Sequence, residues 1–351
     1  MILPVRQQSF VFEVTPTCNH DCLHCYNAWK NPGVATPALL DTEATLAMLE
    51  RMLDQTGANL VTLTGGEPLL RPDLFEIVDW LVGRGVTINL ISNGSLLSAD
   101  AIARLAGKVG VFELPLLSAE SAIHDRLSGV PGAFDRVTLA IAELKAARQR
   151  VVAVFVATRL NLPAWRATAE LAFALGADAI MFNRFNPGGR GRDNIGLLQA
   201  APAELAESLD VAQELSACWE MPVSCSIAMP PCLFDHKRWP ALSFGFCAAG
   251  TERAYYTLDP SGNIRPCNHS PRILGNIREQ DFADIVNSPD MTDFHAARPA
   301  FCGGCRLENE CLGGCKAAAE VCAGSAWACD PFLAAQQTTV HDSLVLAQSS
   351  E

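Results

Sequence analysis

The sequence predicts an α/β protein in which a parallel sheet forms an open or partial barrel. Short β-branched runs alternate with amphipathic segments through the first half of the chain, which is typical of parallel strands joined by crossover helices. The candidate strands are 11–15, 60–64, 86–91, 111–117, 151–157 and 179–182, and the candidate helices between them include 41–55, 72–84, 134–148 and 163–175. Six strand–helix units are too few to close an eight-stranded barrel.

Length and charge narrow the classes of function. The chain has 351 residues, enough for one large domain with a small one or for two medium domains. Its formal net charge is −12 and it has no basic stripe, so nucleic acid is not an expected partner. The first residues lack a secretory signal, and no apolar run is long enough to cross a bilayer. We therefore expect a cytoplasmic protein with no membrane partner.

The 14 cysteines are unevenly distributed along the chain. Three lie at 18–25, none lie from 26 to 217, and eleven lie from 218 to 329. In a cytoplasmic chain of this size, cysteines more often bind metal or do redox chemistry than form disulfides. After a predicted helix at 202–220 the pattern breaks into short segments, among which 258–267 predicts a β-hairpin. We therefore predict a boundary near 225–240.

Three motifs follow three successive predicted strands, so they face the same rim of the sheet. CNHDCLHCY (18–26) follows the first strand, TGGEP (64–68) the second and SNG (92–94) the third. Three thiolates can hold three irons of a 4Fe–4S cube and leave the fourth iron open to a substrate or cofactor. The cysteine motif alone would also suit a zinc knuckle, but the neighbouring motifs favour the cluster.

These motifs resemble those of the radical S-adenosylmethionine (SAM) enzymes, whose CxxxCxxC signature has an adjacent aromatic residue, here Tyr26. The resemblance implies a partial (β/α)6 TIM-like barrel and a 4Fe–4S cluster held by Cys18, Cys22 and Cys25, with SAM bound at the open iron. It also implies reductive cleavage of SAM to a 5′-deoxyadenosyl radical, which abstracts a substrate hydrogen. The implied cofactor-binding residues are Tyr26, Gly65, Gly66, Glu67, Pro68, Ser92, Asn93 and Arg184.

A second cysteine set resembles the SPASM extension of the same family. Cys247 is followed by 14 residues, Gly262, four residues and Cys267, and further cysteines lie within 302–315 and at 329. The resemblance implies two auxiliary iron–sulfur clusters. One would be held by Cys302, Cys305, Cys311 and Cys329, and the other by Cys247, Cys267 and Cys315. The latter either keeps an open iron or takes Cys232 as its fourth ligand. A zinc ribbon is the alternative for this region.

Several residues have two interpretations. His269 is a candidate base or a surface histidine, and no catalytic acid or base is assigned. Arg190 and Arg192 could pair with a carboxylate of SAM or substrate, or belong to a flexible rim loop. Ser118 and Ala119 stand where relatives often carry Asp-Gly, which leaves a ribose or substrate contact open. The remaining cysteines, interpreted as small buried hydrophobes, are Cys218, Cys225 and Cys322.

The resemblance implies a barrel at 10–225, a SPASM domain at 226–335 and a tail at 336–351. The first hypothesis is maturation of a ribosomally made peptide by cross-linking, thioether formation, epimerisation or oxidation. Because the barrel starts near residue 10, leader recognition would need a separate protein or the SPASM surface. The second hypothesis is an enzyme of a sugar nucleoside, a tetrapyrrole or an antibiotic precursor, and the third is a non-catalytic metal-binding protein. A flavodoxin- or ferredoxin-type donor would supply electrons to the enzyme.

Overall fold

The computed structural model describes residues 8–31 and 33–334, which form one open sheet flanked by helices. The sheet has 11 strands in the order β11-β10-β9-β1-β2-β3-β4-β5-β6-β7-β8. The strands are β1 (Ser9–Thr15), β2 (Leu60–Gly65), β3 (Thr87–Ile91), β4 (Val111–Pro115), β5 (Val151–Ala157), β6 (Ala179–Arg184), β7 (Val223–Cys225), β8 (Leu242–Phe244), β9 (Thr257–Leu258), β10 (Asn263–Arg265) and β11 (Gly275–Asn276). The six predicted strands correspond to β1–β6, which pair in parallel and confirm the partial barrel.

The helices mostly lie between strands, as parallel crossovers require. They are α1 (Thr42–Thr56), α2 (Leu74–Gly83), α3 (Ala99–Leu105), α4 (Ser121–Ser128), α5 (Ala133–Ala146), α6 (Trp165–Ala174), α7 (Ile195–Leu198), α8 (Pro202–Trp219), α9 (Phe282–Val286), α10 (Pro289–Ala296), α11 (Glu308–Cys311), α12 (Lys316–Ala323) and α13 (Pro331–Ala334). Local chemistry fixes their ends: Asp41 caps α1 by accepting from the Ala44 N–H at 2.9 Å, and Gly57 ends it in the left-handed conformation.

Strand alternation divides the residues of the barrel between a core and a lumen. On β4, Phe112 and Leu114 are fully buried in the hydrophobic core, so Glu113 between them faces the opposite side. On β5 the odd-numbered residues are buried, and Phe155 packs against Trp165 of α6 with ring centroids 4.7 Å apart. The core therefore lies between sheet and helices, and the other face of the strands lines the lumen.

The sheet extends past the six predicted strands at both edges. β7 and β8 continue it in parallel beyond β6, and β9 pairs in parallel with β1. β9 and β10 pair antiparallel, which confirms the hairpin at 258–267. The domain division at 225 stays a prediction, and the sheet runs across that point. The predicted tail at 336–351 lies outside the described residues.

The lone cysteines differ in their burial. Cys225 is 1% exposed in the core, as predicted for a small hydrophobe. Cys218, on α8, is exposed, so its assignment to a buried apolar face was wrong. The apolar face of α8 presents Leu205, Leu209 and Ala212 to the core. Cys218, near the C-terminal end of the helix, lies outside this face.

A buried ion pair joins the β9–β10 hairpin to the first strand of the barrel. Arg265 of β10 pairs with Glu13 of β1, and both side chains are almost fully buried. The same guanidinium donates to the Ser270 carbonyl oxygen at 2.8 Å. Removing one partner of such a pair leaves the other charge buried without a counter-charge.

We expect Glu13→Gln to lower the free energy of unfolding by about 3–5 kcal/mol, because Arg265 is left buried without a counter-charge. The matched control is Glu214→Gln, which breaks a solvent-exposed pair with Arg166 and should change the free energy of unfolding far less. Urea unfolding of both variants measures the difference. Equal destabilisation by the two substitutions would contradict the role assigned to the buried pair.

Candidate active site and cysteine cavities

The first three cysteines lie in a compact loop directly after β1. The Cys25 N–H donates to the Cys22 carbonyl oxygen at 3.2 Å, and the His20 N–H points at the Cys18 sulfur at 3.4 Å. Burial raises the pKa of Cys22, and the neighbouring Cys25 and Cys18 raise it further. Burial also raises the pKa of Cys18. Both thiols therefore hold their protons until a metal displaces them, which is the usual coupling of metal binding to thiol ionisation.

Two glycines bring the second motif against this loop. A Cβ on Gly66 would lie 2.0 Å from the Thr17 carbonyl oxygen, and one on Gly65 would lie 2.4 Å from that of Thr15. The Gly66 N–H donates to the Thr15 oxygen at 2.7 Å, and Asn27 donates to the Gly65 oxygen at 3.1 Å. Gly65 also has φ +133°, which other residues rarely adopt. Only glycine allows this approach of the two backbones.

The carboxylate of Glu67 is fully buried and links the second motif to the third. It accepts from the Ser92 hydroxyl at 2.8 Å, the Asn93 N–H at 2.8 Å and the Leu69 N–H at 3.2 Å. Burial raises the pKa of Glu67 to about 7, against the lowering effect of these donors. Its oxygens are occupied within the protein, so Glu67 acts as a positioning residue for the SNG loop.

The third motif returns to the cysteine loop and completes a network. Asn93 donates from its amide to the Asn19 side-chain oxygen at 2.8 Å, and Asn19 donates to the Ser95 hydroxyl at 2.9 Å. Pro68 opens the 3-10 turn Pro68–Leu70 that positions the Leu69 N–H. The structure thus brings Glu67, Pro68, Ser92 and Asn93 together beside the three cysteines. Their contact with a cofactor stays a prediction.

A glycine-rich loop at 186–194 covers the other side of the cysteine loop. The Gly191 N–H donates to the Cys25 carbonyl oxygen at 3.0 Å, and the Asn194 side chain donates to the Leu23 carbonyl oxygen at 3.0 Å. Arg190 pairs with Asp21 of the cysteine loop. In this structure Arg190 therefore pairs with the protein's own cysteine loop, and its pairing with a carboxylate of SAM or substrate stays a prediction.

Arg184, at the end of β6, points toward the C-terminal part. Its guanidinium donates to the Asp330 carboxylate at 2.5 Å and to the Ala228 carbonyl oxygen at 2.8 Å, and it lies 4.7 Å from the Phe332 ring centre. Both charged side chains are nearly inaccessible to water. Binding of the SAM carboxylate by Arg184 stays a prediction, and the observed contacts give it a structural role.

Aromatic and polar side chains line the lumen between the cysteine loop and the hairpin. The Tyr26 hydroxyl accepts from the Asn268 amide at 3.1 Å, and the Tyr26 ring lies 4.1 Å from that of His269. His269 is half-buried, so it is not a surface histidine. Burial lowers the pKa of His269 to about 3, and the charges of Arg184 and Arg265 lower it further, which makes it a weak base.

Glu113 is a lumen residue that the sequence analysis missed. Burial raises its pKa to about 7, and its carboxylate has no hydrogen-bond or ion-pair partner among the residues described. Its backbone carbonyl accepts from the Ser92 N–H at 3.1 Å, so it stands next to the SNG motif. The signal was available: a carboxylate in the middle of an alternating strand (VFELP) faces either solvent or a site.

Two separate cavities collect the C-terminal cysteines. The first is lined by Cys247, Cys267 and Cys315. Burial raises the pKa of Cys267 to about 12 and that of Cys315 to about 11. Lys316 also lines this cavity, and burial lowers its pKa to about 8.

The second cavity is lined by Cys232, Cys302, Cys305 and Cys311. Cys329 is near enough to influence the ionisation of Cys302 and Cys232. Cys232 lines this cavity and not the one that Cys247 lines, which favours the open-iron alternative for the first set over ligation by Cys232. The cause is tertiary: the segment after β7 passes the second cavity, which spacing along the chain does not reveal.

The donor set of both cavities fits iron–sulfur clusters. Thiols dominate it, and soft thiolate ligands select zinc or iron–sulfur clusters over hard cations. Within 8–31 and 33–334, no three Cys, His, Asp or Glu side chains converge as ligands of a single metal ion would.

Comparison with known proteins decides the family. The family model of the Radical SAM superfamily matches residues 12–172, and the SPASM model, an iron–sulfur cluster-binding domain, matches residues 247–311. The chain is a radical SAM/SPASM enzyme. As such it uses SAM with a 4Fe–4S cluster, and its SPASM region implies auxiliary iron–sulfur clusters. These matches contain the cysteine loop, the rim motifs and most of the second cysteine set.

Relatives cover nearly the whole chain. An AdoMet-dependent heme synthase of Methanosarcina barkeri is 28% identical over 92% of this chain and 94% of its own length. A PqqA peptide cyclase of Gluconobacter oxydans is 28% identical over 94% of this chain and 91% of its own. The structure of anSMEcpe with bound AdoMet has the same fold, with a TM-score of 0.72, 16% identity, and coverage of 94% of this chain and 95% of that one. Among the described residues of this radical SAM enzyme, no helix could span a membrane.

We expect Glu67→Gln to weaken SAM binding about tenfold. In the glutamine variant, the side-chain NH₂ group would face one of the N–H or O–H donors that the carboxylate accepts from. Two donors that face each other cost about 1–3 kcal/mol, and this loosens the SNG loop. Equilibrium dialysis of the anaerobic holoenzyme measures the affinity. Glu76→Gln, on the exposed face of α2, is the control and should bind SAM as the wild type does. Unchanged affinity in both variants would show that the network does not shape the SAM site.

Proposed function

We propose that this enzyme reductively cleaves SAM and uses the resulting 5′-deoxyadenosyl radical to abstract a hydrogen from a ribosomally made peptide, which it thereby matures. The observation that carries the reaction class is the single network that unites the cysteine loop, GGEP and SNG through Glu67. The peptide is supported by relatives such as the PqqA peptide cyclase, which align over almost the whole chain.

In this proposal each part of the rim has one task. Cys18, Cys22 and Cys25 hold the cluster that supplies one-electron chemistry to SAM. Tyr26, Gly65, Gly66, Pro68, Ser92 and Asn93 shape the SAM pocket, and Arg184 remains a candidate for the SAM carboxylate. The loop at 186–194 closes the far side of the cysteine loop and keeps water from it.

The C-terminal cysteines provide the auxiliary clusters. Cys247, Cys267 and Cys315 would hold one cluster and leave one iron without a cysteine ligand, in a cavity that His269 also lines. Cys302, Cys305 and Cys311 would hold the other. A flavodoxin- or ferredoxin-type protein would deliver electrons, and a separate protein could recognise the peptide leader. We place the enzyme in the cytoplasm, because free thiols and reduced clusters need a reducing compartment.

The reaction class is tested by 5′-deoxyadenosine formation from SAM and a reductant under anaerobic conditions. We expect the wild type to form it and Cys22→Ala to lose it, because one iron of the cube loses its ligand. Cys218→Ala is the matched control, since that thiol is exposed on α8 and lies outside both cavities. Liquid chromatography quantifies the nucleoside. No product from the wild type would sink the proposed class.

The substrate is tested by anaerobic co-expression with short peptides encoded beside the enzyme, in water and in deuterium oxide. Mass spectrometry that shows loss of two hydrogens would indicate cross-linking or dehydrogenation. An unchanged mass in water with deuterium uptake in deuterium oxide would indicate epimerisation. Unmodified peptide in both solvents would favour a small molecule.

A tetrapyrrole is the second candidate substrate, because AdoMet-dependent heme synthases align over 92% of the chain at up to 28% identity. The discriminating experiment presents the reduced holoenzyme and SAM with an iron porphyrin precursor. A mass change of the porphyrin with stoichiometric 5′-deoxyadenosine would establish this candidate over the peptide.

We further propose that Glu113 accepts the proton that leaves the substrate radical after hydrogen abstraction, and that an auxiliary iron–sulfur cluster would take up the electron that remains. Because its pKa is raised to about 7, the basic carboxylate form increases as pH rises through 7, and product formation should increase with it. Glu113→Gln should lower product formation at pH 8 by about 10²-fold or more and remove this pH dependence. SAM cleavage should persist, because Glu113 does not hold the cysteine loop.

The control for this prediction is Glu120→Gln, which changes an exposed carboxylate shortly after the same strand. It should keep the wild-type pH profile. An unaltered profile in Glu113→Gln would remove Glu113 from the proton-transfer role.

A further inference from the structure

Five cysteines lie at or beside the second cavity, one more than a cube of four irons needs. Cys302, Cys305 and Cys311 line it from the C-terminal segment, and Cys232 lines it from the segment that follows β7. Cys329 is the fifth thiol in this region, but it is not among the residues that line the cavity. The cavity therefore has a thiol that the cysteine spacing of the SPASM motif does not include.

The segment around Cys232 is built to hold that thiol in place. The turn at 230–234 is closed by the Leu233 and Phe234 N–H groups, which donate to the Pro230 carbonyl oxygen at 2.9 and 3.1 Å. Phe234 is 1% exposed and stacks on Phe332 with ring centroids 6.0 Å apart. Leu333, which follows Phe332, lines the same cavity. The aromatic contact that holds the turn is therefore next to the cavity wall.

The other cysteines outside the motif do not share this placement. Cys218 is exposed on α8, and Cys225 is buried in the hydrophobic core. Cys322, on α12, lines neither cavity. Cys232 is thus distinguished from them by position among thiols and by a rigid turn, which are what a metal ligand needs.

We propose that Cys232 is a thiolate ligand of the auxiliary cluster in the second cavity, in the position that the motif gives to Cys329. Cys302, Cys305 and Cys311 would ligate three irons of this cluster, and Cys232 would ligate the fourth. This ligation joins the segment after β7 to the cysteine-rich part. The inference needs the cluster of the proposed function, but it does not depend on the substrate.

The experiment compares Cys232→Ala, Cys232→Ser and Cys329→Ala with Cys322→Ala as the matched control, all as anaerobically reconstituted full-length protein. Iron and sulfide analysis, Mössbauer spectra and EPR spectra of the reduced protein report on the clusters. We expect the iron content of the Cys232→Ala variant to fall from about twelve to about eight irons per chain, because one cube is lost. Cys232→Ser should retain a cube in which one iron has an oxygen ligand and a higher isomer shift. Cys322→Ala should match the wild type.

Unchanged iron content and spectra in both Cys232 variants would overturn the proposal, and loss of the same cluster in Cys329→Ala alone would assign the position to Cys329. The serine variant nearly preserves side-chain volume, so its Mössbauer spectrum decides the matter even if the alanine variant folds poorly. Formation of 5′-deoxyadenosine is measured on each sample. Its absence in the wild type would refute the reaction class and leave the iron measurements valid.

Discussion

The approach of Gly66 to the Thr17 carbonyl is the constraint on which the whole rim depends. No side chain fits there, because a Cβ would lie 2.0 Å from that oxygen. With the two backbones in contact, the Gly66 N–H reaches the Thr15 oxygen and the cysteine loop leaves β1 in a fixed direction. The position of the three thiols is therefore set by hydrogen bonds of the backbone, before any cluster contributes.

Glu67 extends this constraint to a third loop. Burying a carboxylate is costly unless donors surround it, and the structure provides the Leu69, Ser92 and Asn93 groups for that purpose. The loop at 186–194 then braces the opposite side of the cysteine loop. The strand ends and the glycine-rich loop thus make the site rigid, as the precise placement of a radical precursor requires. These supporting groups surround the site and take no part in the reaction.

The sequence was sufficient for the barrel strands and the rim motifs, because strand periodicity and the position of a motif after a strand are local properties. It was insufficient for α4 and for the short strands β7 and β8, whose lengths give no clear period. Glu113 was overlooked because the strand was read for its apolar residues alone. The place of Cys232 could not be deduced, since no local pattern relates it to cysteines about 70 residues away, and the tertiary path after β7 decides it.

The two auxiliary cavities are linked because one short segment of the chain lines both. Cys311 lines one cavity and Cys315 the other, and the chain turns between them at Gly313 and Gly314, whose φ angles are +85° and +83°. Asp330 accepts from the Cys315 N–H at 3.0 Å and from Arg184 of β6, so this segment is also tied to the barrel. The two cavities and the end of β6 are therefore connected through one short segment and its hydrogen bonds to Asp330.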